Sequence, residues 1–479
     1  MGDGGPGLVV LPALQDRLPA VEGDPRVHRA CLDRRSGAHV HRGHRRRAVV
    51  VHRADPADGG PGVRASGHAP QRSSIPAPAA HPRFGGVRMT DGIVIAGGGL
   101  AAQRAAETLR RAGYADGLRM VCAEPHPPYD RPPLSKEVLT SERRGDSIRF
   151  RADGWYVENE VDLLLGVRAA VLWPDERVLH LSDGSALRYD RLLIATGARP
   201  RELPTLAGYR NVSTLSSLND ALALRDVLAS TARLVIIGAG FVGLEVAASA
   251  RQLGAEVTMI ESAPAPLSNV LGPVGGWFTD LHRFHGVHVI TSTTVTAVEG
   301  DDRFRLLKLA SGQEIRADHV LVGVGVSPDL DWLAGSALPT SGVPVDAEGR
   351  SQAEAIFAAG DAALTFDPQL ARHVAGSHWE RAARQGTRAA RAMLGLATGE
   401  PPLESFWSDQ YGIRINYLGH APAADAYAVD GDMDATDFQV TYTREGRPVA
   451  VLLVGRPREL PQARKLMTNG GSLELLARN

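Results

Sequence analysis

The strongest constraint on this 479-residue chain is a local pattern that occurs twice. Each copy has a short apolar strand, a glycine-rich turn, a helix, and a second strand that ends on an acid. The first runs from Ile93–Ala96 through Gly97-Gly98-Gly99-Leu100-Ala101-Ala102 into a helix predicted over Ala101–Arg111, and its second strand, Arg119–Ala123, leads to Glu124. The second runs from Leu234–Ile237 through Gly238-Ala239-Gly240-Phe241-Val242-Gly243 into a helix over Val242–Leu253, and its second strand, Glu256–Ile260, leads to Glu261. In each turn the first glycine (Gly97, Gly238) permits a tight reversal and the next (Gly99, Gly240) lets a pyrophosphate approach the backbone. The small third residue (Ala101, Gly243) lets helix and strand pack closely. The helix N-terminus presents free N–H groups and a positive dipole end to phosphate, and the terminal carboxylate can accept from ribose hydroxyls. One such turn is weak; two complete units are hard to obtain by chance.

Two dinucleotide sites imply two dinucleotides, one held and one exchanged. Flavin and nicotinamide form the pair between which a hydride passes. Glu261 is followed by Ser262-Ala263-Pro264-Ala265, with no arginine nearby to receive a 2′-phosphate that the carboxylate would repel. NADH is therefore expected over NADPH.

Further strands are predicted at Arg191–Ala195, His319–Val324 and Ile356–Ala359, alternating with helical segments. That alternation is the pattern of a parallel sheet covered on both faces. From about residue 400 the character changes: Gln439–Tyr442 and Val449–Val454 read as antiparallel strands, followed by a helical Leu460–Met467. A small separate α+β domain is expected there. The first 88 residues hold 14 arginines, no lysine and 7 acidic residues, against 39 basic and 47 acidic residues in the remainder. Such a basic arm can signal a nucleic-acid or membrane contact. Its Gly, Pro, Ala, Arg and His bias, with Phe84 its sole Phe, Tyr or Trp, cannot bury a core. The expectation is a disordered or mis-called extension before a true start at Met89, with no nucleic-acid role. No run approaches the roughly 18 apolar residues of a membrane span, and no secretory signal is seen, so a cytoplasmic protein is expected. The two cysteines, Cys31 and Cys122, form no CxxC pair, and His373 and His378 have no acid or cysteine around them. Neither a disulfide framework nor a metal site is expected.

Shorter motifs carry a family resemblance. Ala195-Thr196-Gly197 resembles the turn by which two-dinucleotide flavoproteins pass between domains, and Ile356-Phe357-Ala358-Ala359-Gly360-Asp361 resembles their second FAD motif, whose aspartate binds the ribityl chain. Pro128-Tyr129-Asp130-Arg131-Pro132-Pro133-Leu134-Ser135-Lys136 and Phe406-Trp407-Ser408-Asp409-Gln410-Tyr411 are more specific. With them, residues 91–470 resemble the ferredoxin reductases of the putidaredoxin reductase and rubredoxin reductase type, a group that includes the reductase components of aromatic-ring dioxygenases.

The resemblance implies FAD contacts from Gly97, Gly99, Ala101, Glu124, Arg131, Lys136, Ala169, Ala195, Thr196, Gly197, Gly360 and Asp361. It implies NADH contacts from Gly238, Gly240, Gly243 and Glu261, and places Trp379 and Trp407 near the flavin. It also makes Lys136 and Glu245 an ion pair beside flavin N5, with the lysine stabilising negative charge and the glutamate orienting the lysine and the carboxamide. Two departures stand out: Ser216 lies where relatives often carry an arginine, and Ala265-Pro266 where another is common.

Hydride transfer between stacked rings needs positioning rather than a side-chain acid or base. Disulfide reductases carry a redox cysteine pair after the first motif, where this chain reads Pro132-Pro133-Leu134-Ser135-Lys136. Cys122 stands alone within a strand and is expected to be a buried structural thiol. The expected acceptor is thus a one-electron iron–sulfur protein, a ferredoxin or a rubredoxin-like protein. Such partners are acidic and need a local basic patch. Arg151, aligned with a partner-facing arginine of the family, and Arg381, Arg384 and Arg388 near Trp379 are the candidates.

The fold expected is α/β, with two doubly wound, Rossmann-like domains and a small α+β interface domain. FAD would be bound by 91–203 with 327–398, NAD by 204–326, and the interface domain would span 399–479. The expected activity is that of an NADH:ferredoxin reductase serving a cytochrome P450 or ring-hydroxylating dioxygenase. The alternatives are a flavin NADH oxidase or quinone reductase, and a redox-sensing flavoprotein like apoptosis-inducing factor.

Overall fold

All four residues of Ile93–Ala96 (β1) are fully buried, and they alternate between two cores. Ile93 and Ile95 face one core, Val94 and Ala96 the other. A strand buried on both faces belongs at the centre of a parallel sheet. The computed structural model, which describes residues 91–367, 372–376, 378–399 and 403–469, places β1 there. The arm of residues 1–88, with the expectations about its disorder and start site, lies outside the described residues.

Leu118–Cys122 (β2) lies parallel to one side of β1, followed by Val161–Leu165 (β3), and Arg191–Ile194 (β4) lies parallel to the other side. Leu100–Arg111 (α1) covers one face with Ala102, Ala105, Ala106 and Leu109. The chain then builds a second sheet from Val212–Ser213 (β5), Arg233–Ile237 (β6), Glu256–Ile260 (β7), His288–Ile290 (β8) and His319–Val322 (β9), all parallel, in the order β8-β7-β6-β9-β5. Its helices are Leu218–Leu228 (α2), Phe241–Gln252 (α3) and Gly275–Phe284 (α4). Strand β6 repeats the logic of β1, with Leu234 and Ile236 in one core and Val235 and Ile237 in another. Ile356–Ala358 (β10) returns to the first sheet beside β4, completing the order β10-β4-β1-β2-β3.

Trp379–Met393 (α5) then lies against α1 at van der Waals range, because Gly386 offers no Cβ: one there would overlap the carbonyl oxygen of Ala101. Two three-stranded antiparallel meanders, which begin at Ala169–Trp173 and Val295–Gly300, were not foreseen; their strands are short and half-exposed, so the apolar alternation is faint.

The C-terminal strands Ser405–Gln410 (β11), Ile413–Gly419 (β12), Ala426–Asp432 (β13), Asp437–Arg444 (β14) and Arg447–Val454 (β15) form an antiparallel sheet in the order β11-β12-β15-β14-β13, backed by Leu460–Asn469 (α6). This part is not separate in its packing. Ile415, Tyr417, Phe438, Val440 and Leu452 share one buried cluster with Leu244 and Val246 of α3 and with Phe278 of α4. Tyr442 donates to the Leu271 carbonyl at 2.9 Å, and Trp277 Nε1 to the Met433 carbonyl at 3.0 Å. The α+β unit expected there does form, with its outer face packed on α6 through Leu418, Val451, Leu453, Ala463 and Leu466, while its inner face is covered by the second nucleotide-binding half.

Gly386→Ala should force α5 away from α1 and displace Ala101. Unfolding free energy should fall by roughly 1–3 kcal/mol, the usual cost of an inserted methyl in a full core. A lowered urea midpoint at unchanged slope would register it.

Candidate functional site

Three of the glycine motifs meet at the C-terminal ends of the first sheet's strands. Gly97 has φ +136°, and a Cβ there would overlap the Ala195 carbonyl oxygen, so the first turn and the Ala195-Thr196-Gly197 turn touch through backbone. Thr196 Oγ1 donates to the Asp329 carbonyl at 2.8 Å, and the Asp329 N–H donates to the Gly197 carbonyl at 3.0 Å. Gly360 donates to Gln385 Oε1 at 2.9 Å and lies against Ala101, which brings Asp361 to the same edge. Ala169 starts a strand beside this edge and is half-buried.

The fit of a dinucleotide rests on the open faces of the two turns. Gly99 precedes α1 and Gly240 precedes α3; neither helix has a side-chain cap, and the space around each glycine's missing Cβ is empty. Uncapped N–H groups that face open space at a helix N-terminus suit a pyrophosphate. Gly243 lies one turn on, packed against the Gly238 carbonyl. Both turns therefore fit the groups expected of them.

The two acids are held differently. Glu261 Oε2 accepts from the Ala239 N–H at 2.6 Å and Oε1 from the Ala263 N–H at 2.8 Å, which ties the end of β7 to the second turn. Glu124 accepts from the Tyr129 hydroxyl at 2.5 Å and pairs with Arg131 at 3.0 Å. Arg131 also donates to the Ser216 carbonyl. Ser216 and Ser217 both bond Asp220 in a capping box that starts α2, so the departure at Ser216 supplies a backbone acceptor for Arg131.

Lys136 Nζ lies 2.6 Å from Glu245 Oε2, and Ser135 Oγ donates to the same oxygen at 2.6 Å. Ser408 Oγ donates to Glu245 Oε1 at 2.7 Å. Glu245 is 6% exposed and Ser408 fully buried. The pair thus joins the loop after β2, the first turns of α3, and β11. Breaking one partner of such a buried pair typically costs about 3–5 kcal/mol, since the other is left uncompensated. Trp379 Nε1 donates to Asp130 Oδ1 at 2.7 Å and stands 5.5 Å from Trp407, edge to face. Burial pushes the Asp130 carboxyl up, opposed by that hydrogen bond.

The basic patch is largely not a patch. Arg381 is buried, paired with Glu404 at 2.6 Å and bonded to Thr365 and to the Val374 carbonyl. Arg388 is buried, with its donors on the carbonyls of Ala347, Thr398 and Gly399. Both arginines hold the chain together and do not face a partner; the helical spacing that clustered them puts them on the inner face of α5. Arg384 is half-exposed and bonded to Glu380. Arg151 is half-exposed and bonded to the buried Glu107 at 2.8 Å. Burial alone would raise the Glu107 carboxyl; hydrogen bonds from Arg151, Gln103 and Arg104 outweigh it and hold it low.

His282 escaped sequence reasoning, as did the individual roles of Ser408 and Gln410 within their motif. Gln410 Nε2 donates to Ser408 Oγ at 3.0 Å, and Gln410 Oε1 lies 3.0 Å from His282 Nε2. The available signal was alternation in β11, which puts Phe406, Ser408 and Gln410 on one buried face; polar residues there demand polar partners. His378 stacks on Phe406 with ring centroids 4.3 Å apart, and burial lowers it to about 4.

Among the described residues no helix is long and apolar enough to cross a membrane, and no group of three His, Cys, Asp or Glu is placed to hold a metal. Residues 91–386 match the family described as pyridine nucleotide-disulphide oxidoreductase, and residues 405–477 the family described as reductase C-terminal. The chain belongs to the pyridine nucleotide-disulphide oxidoreductase family. Within it, the chain is 36% identical over 379 residues to rhodocoxin reductase of Rhodococcus erythropolis, a match covering 78% of this chain and 89% of that one. It is 35% identical over 389 residues to the anthranilate 1,2-dioxygenase system ferredoxin–NAD(+) reductase component of Burkholderia cepacia, covering 79% of this chain and 95% of the other. The solved covalent complex of putidaredoxin reductase with putidaredoxin contains a chain that superposes with a TM-score of 0.78 at 32% identity, over 81% of this chain and 95% of that one. The α/β fold and the kinship expected from the motifs both hold.

Cys122 is 1% exposed, and burial pushes its thiol up to about 12. At pH 8 almost none is thiolate, so iodoacetamide should leave the Cys122 peptide unmodified in native protein and alkylate it after unfolding. Peptide mass spectrometry reads the difference; rapid native alkylation would make it a reactive thiol.

Proposed function

We propose that this protein is an FAD-dependent NADH:ferredoxin reductase that supplies electrons, through a small iron–sulfur protein, to an oxygenase of the cytochrome P450 or ring-hydroxylating class. The observation that carries this reading is the Lys136–Glu245 pair, with Glu245 buried and Lys136 partly so, at the junction of the two nucleotide-binding halves. Relatives named as ferredoxin–NAD(+) reductase components support the acceptor class.

The bound flavin supplies a hydride acceptor that can afterwards release single electrons. The chain supplies the rest. The uncapped starts of α1 and α3 bind the two pyrophosphates, and Asp361, at the edge of the first sheet, binds the ribityl chain. Lys136, braced by the Pro132 carbonyl at 3.0 Å, would offer a positive charge to the reduced flavin ring. Glu245 fixes the direction of that lysine and is itself fixed by Ser135 and Ser408. Glu261, anchored on two backbone N–H groups, is a rigid acceptor for ribose hydroxyls and repels a 2′-phosphate, which favours NADH. Trp379 and Trp407, edge to face, would flank the flavin, and Arg384 and Arg151 remain the candidate contacts for an acidic partner.

Stopped-flow absorbance of the 89–479 protein, mixed without oxygen first with NADH and then with a small ferredoxin, tests the proposal. The expected result is rapid bleaching of the flavin, then fast reoxidation on adding ferredoxin. Bleaching that persists until oxygen or a quinone is added would move the function to an oxidase or quinone reductase. A long-lived charge-transfer band with slow turnover would favour the redox-sensing alternative. Separately, Glu261→Ala should raise the KM for NADH by roughly tenfold while kcat changes less than about twofold, as loss of a ground-state contact requires. An unchanged KM would place the ribose acceptor elsewhere.

A further inference from the structure

The buried chain that begins at Glu245 has a direction, and charge sets it. Lys136 and Ser135 both occupy Oε2, so Oε1 depends on Ser408 Oγ at 2.7 Å. A carboxylate only accepts; the Ser408 hydroxyl must donate to it and is left able to accept. Gln410 Nε2 supplies that donor at 3.0 Å, which turns the Gln410 amide oxygen to His282 Nε2, also at 3.0 Å. An amide oxygen only accepts, so His282 carries its proton on Nε2, and its Nδ1 accepts from the Tyr411 hydroxyl at 2.9 Å. The four hydrogen bonds run one way, from Tyr411 through α4 and β11 to Glu245 on α3. Ser408 and His282 are fully buried and Gln410 is 1% exposed, so water does not compete along the chain. Burial keeps His282 neutral, lowered to about 4. At the outer end Tyr411 stacks on His285 with ring centroids 3.7 Å apart. Because an amide stands in the middle, this chain orients and does not conduct protons.

We propose that Ser408, Gln410 and His282 are positioning residues that hold the Glu245 carboxylate toward Lys136, through a hydrogen-bond chain whose single direction the carboxylate imposes. The inference rests on reading Lys136 and Glu245 as the hydride site. All three act through Glu245, the one member of the hydrogen-bond chain that meets Lys136.

Nitrogen-15 NMR of the flavin-loaded protein with labelled histidine reads the tautomer, His282 being assigned by the signal lost in His282→Asn. The wild type should show the Nε2–H form. In Glu245→Gln the donor-only Lys136 keeps the new amide oxygen at the Oε2 position and turns its NH2 toward Ser408. Each bond then reverses, and His282 should move to the Nδ1–H form. An unchanged tautomer overturns the one-way chain, without any turnover being measured. In Ser408→Ala, flavin reduction by saturating NADH should slow about tenfold, the loss of one hydrogen bond to a charged group. The Kd for NADH should move less than about twofold, since the lost contact lies off the nucleotide. Ser408→Thr, which keeps the hydroxyl, should restore the rate. Wild-type reduction in Ser408→Ala overturns the positioning role. The hydride-site reading fails separately, if Glu245→Gln itself is reduced at the wild-type rate.

Discussion

A lysine and a glutamate can be held together out of water only if every remaining donor and acceptor around them is met. Around Lys136 and Glu245 that condition draws in Pro132 and Ser135 from the loop after β2 and Ser408 from β11. Glu245 itself stands on α3, the helix whose uncapped start closes the second glycine turn. One buried pair therefore demands that three parts of the chain, separated by more than a hundred residues, meet at one point. Their packing is consistent with the demand, because α3 is covered by the C-terminal sheet through a shared apolar cluster.

The glycine turns impose a second condition, closeness. A glycine at the reversal and a small residue at the third position let α1 lie near β1, and Gly386 then lets α5 lie near α1. The alanines of α1 and α5 extend that close contact along both helices, with Ala102, Ala105, Ala389 and Ala390 fully buried. At Gly97, Gly243 and Gly386 the backbone is packed so closely that a Cβ would overlap a neighbouring carbonyl oxygen. The Asp130–Trp379 hydrogen bond adds a polar tie between the same helix α5 and the loop that carries Lys136.

Charge on this protein means different things at different depths. Arg381 and Arg388 look in sequence like the start of a basic surface, yet they spend their donors on backbone carbonyls and buried or nearby acids. An arginine with five donors is well suited to gathering loop carbonyls. Arg384, one helical position off that inner face, is the member left near solvent.

The sequence by itself determined the two nucleotide-binding units, their order and the residues of their turns. That information is local: a strand of four apolar residues, a glycine that must adopt positive φ, and an acid at the end of the next strand all lie within about thirty residues, the span of one βαβ unit. The family resemblance carried by its shorter motifs also pointed to the Lys136–Glu245 ion pair. Only the tertiary structure decided which arginines are buried, that one face of the C-terminal sheet is covered by α3 and α4, and that Ser408, Gln410 and His282 line up behind Glu245. Those facts depend on which face of a strand or helix meets another element far along the chain. Periodicity in one segment shows that a face is to be buried, but not what will cover it, and a polar residue on that face declares its role only when its partner arrives.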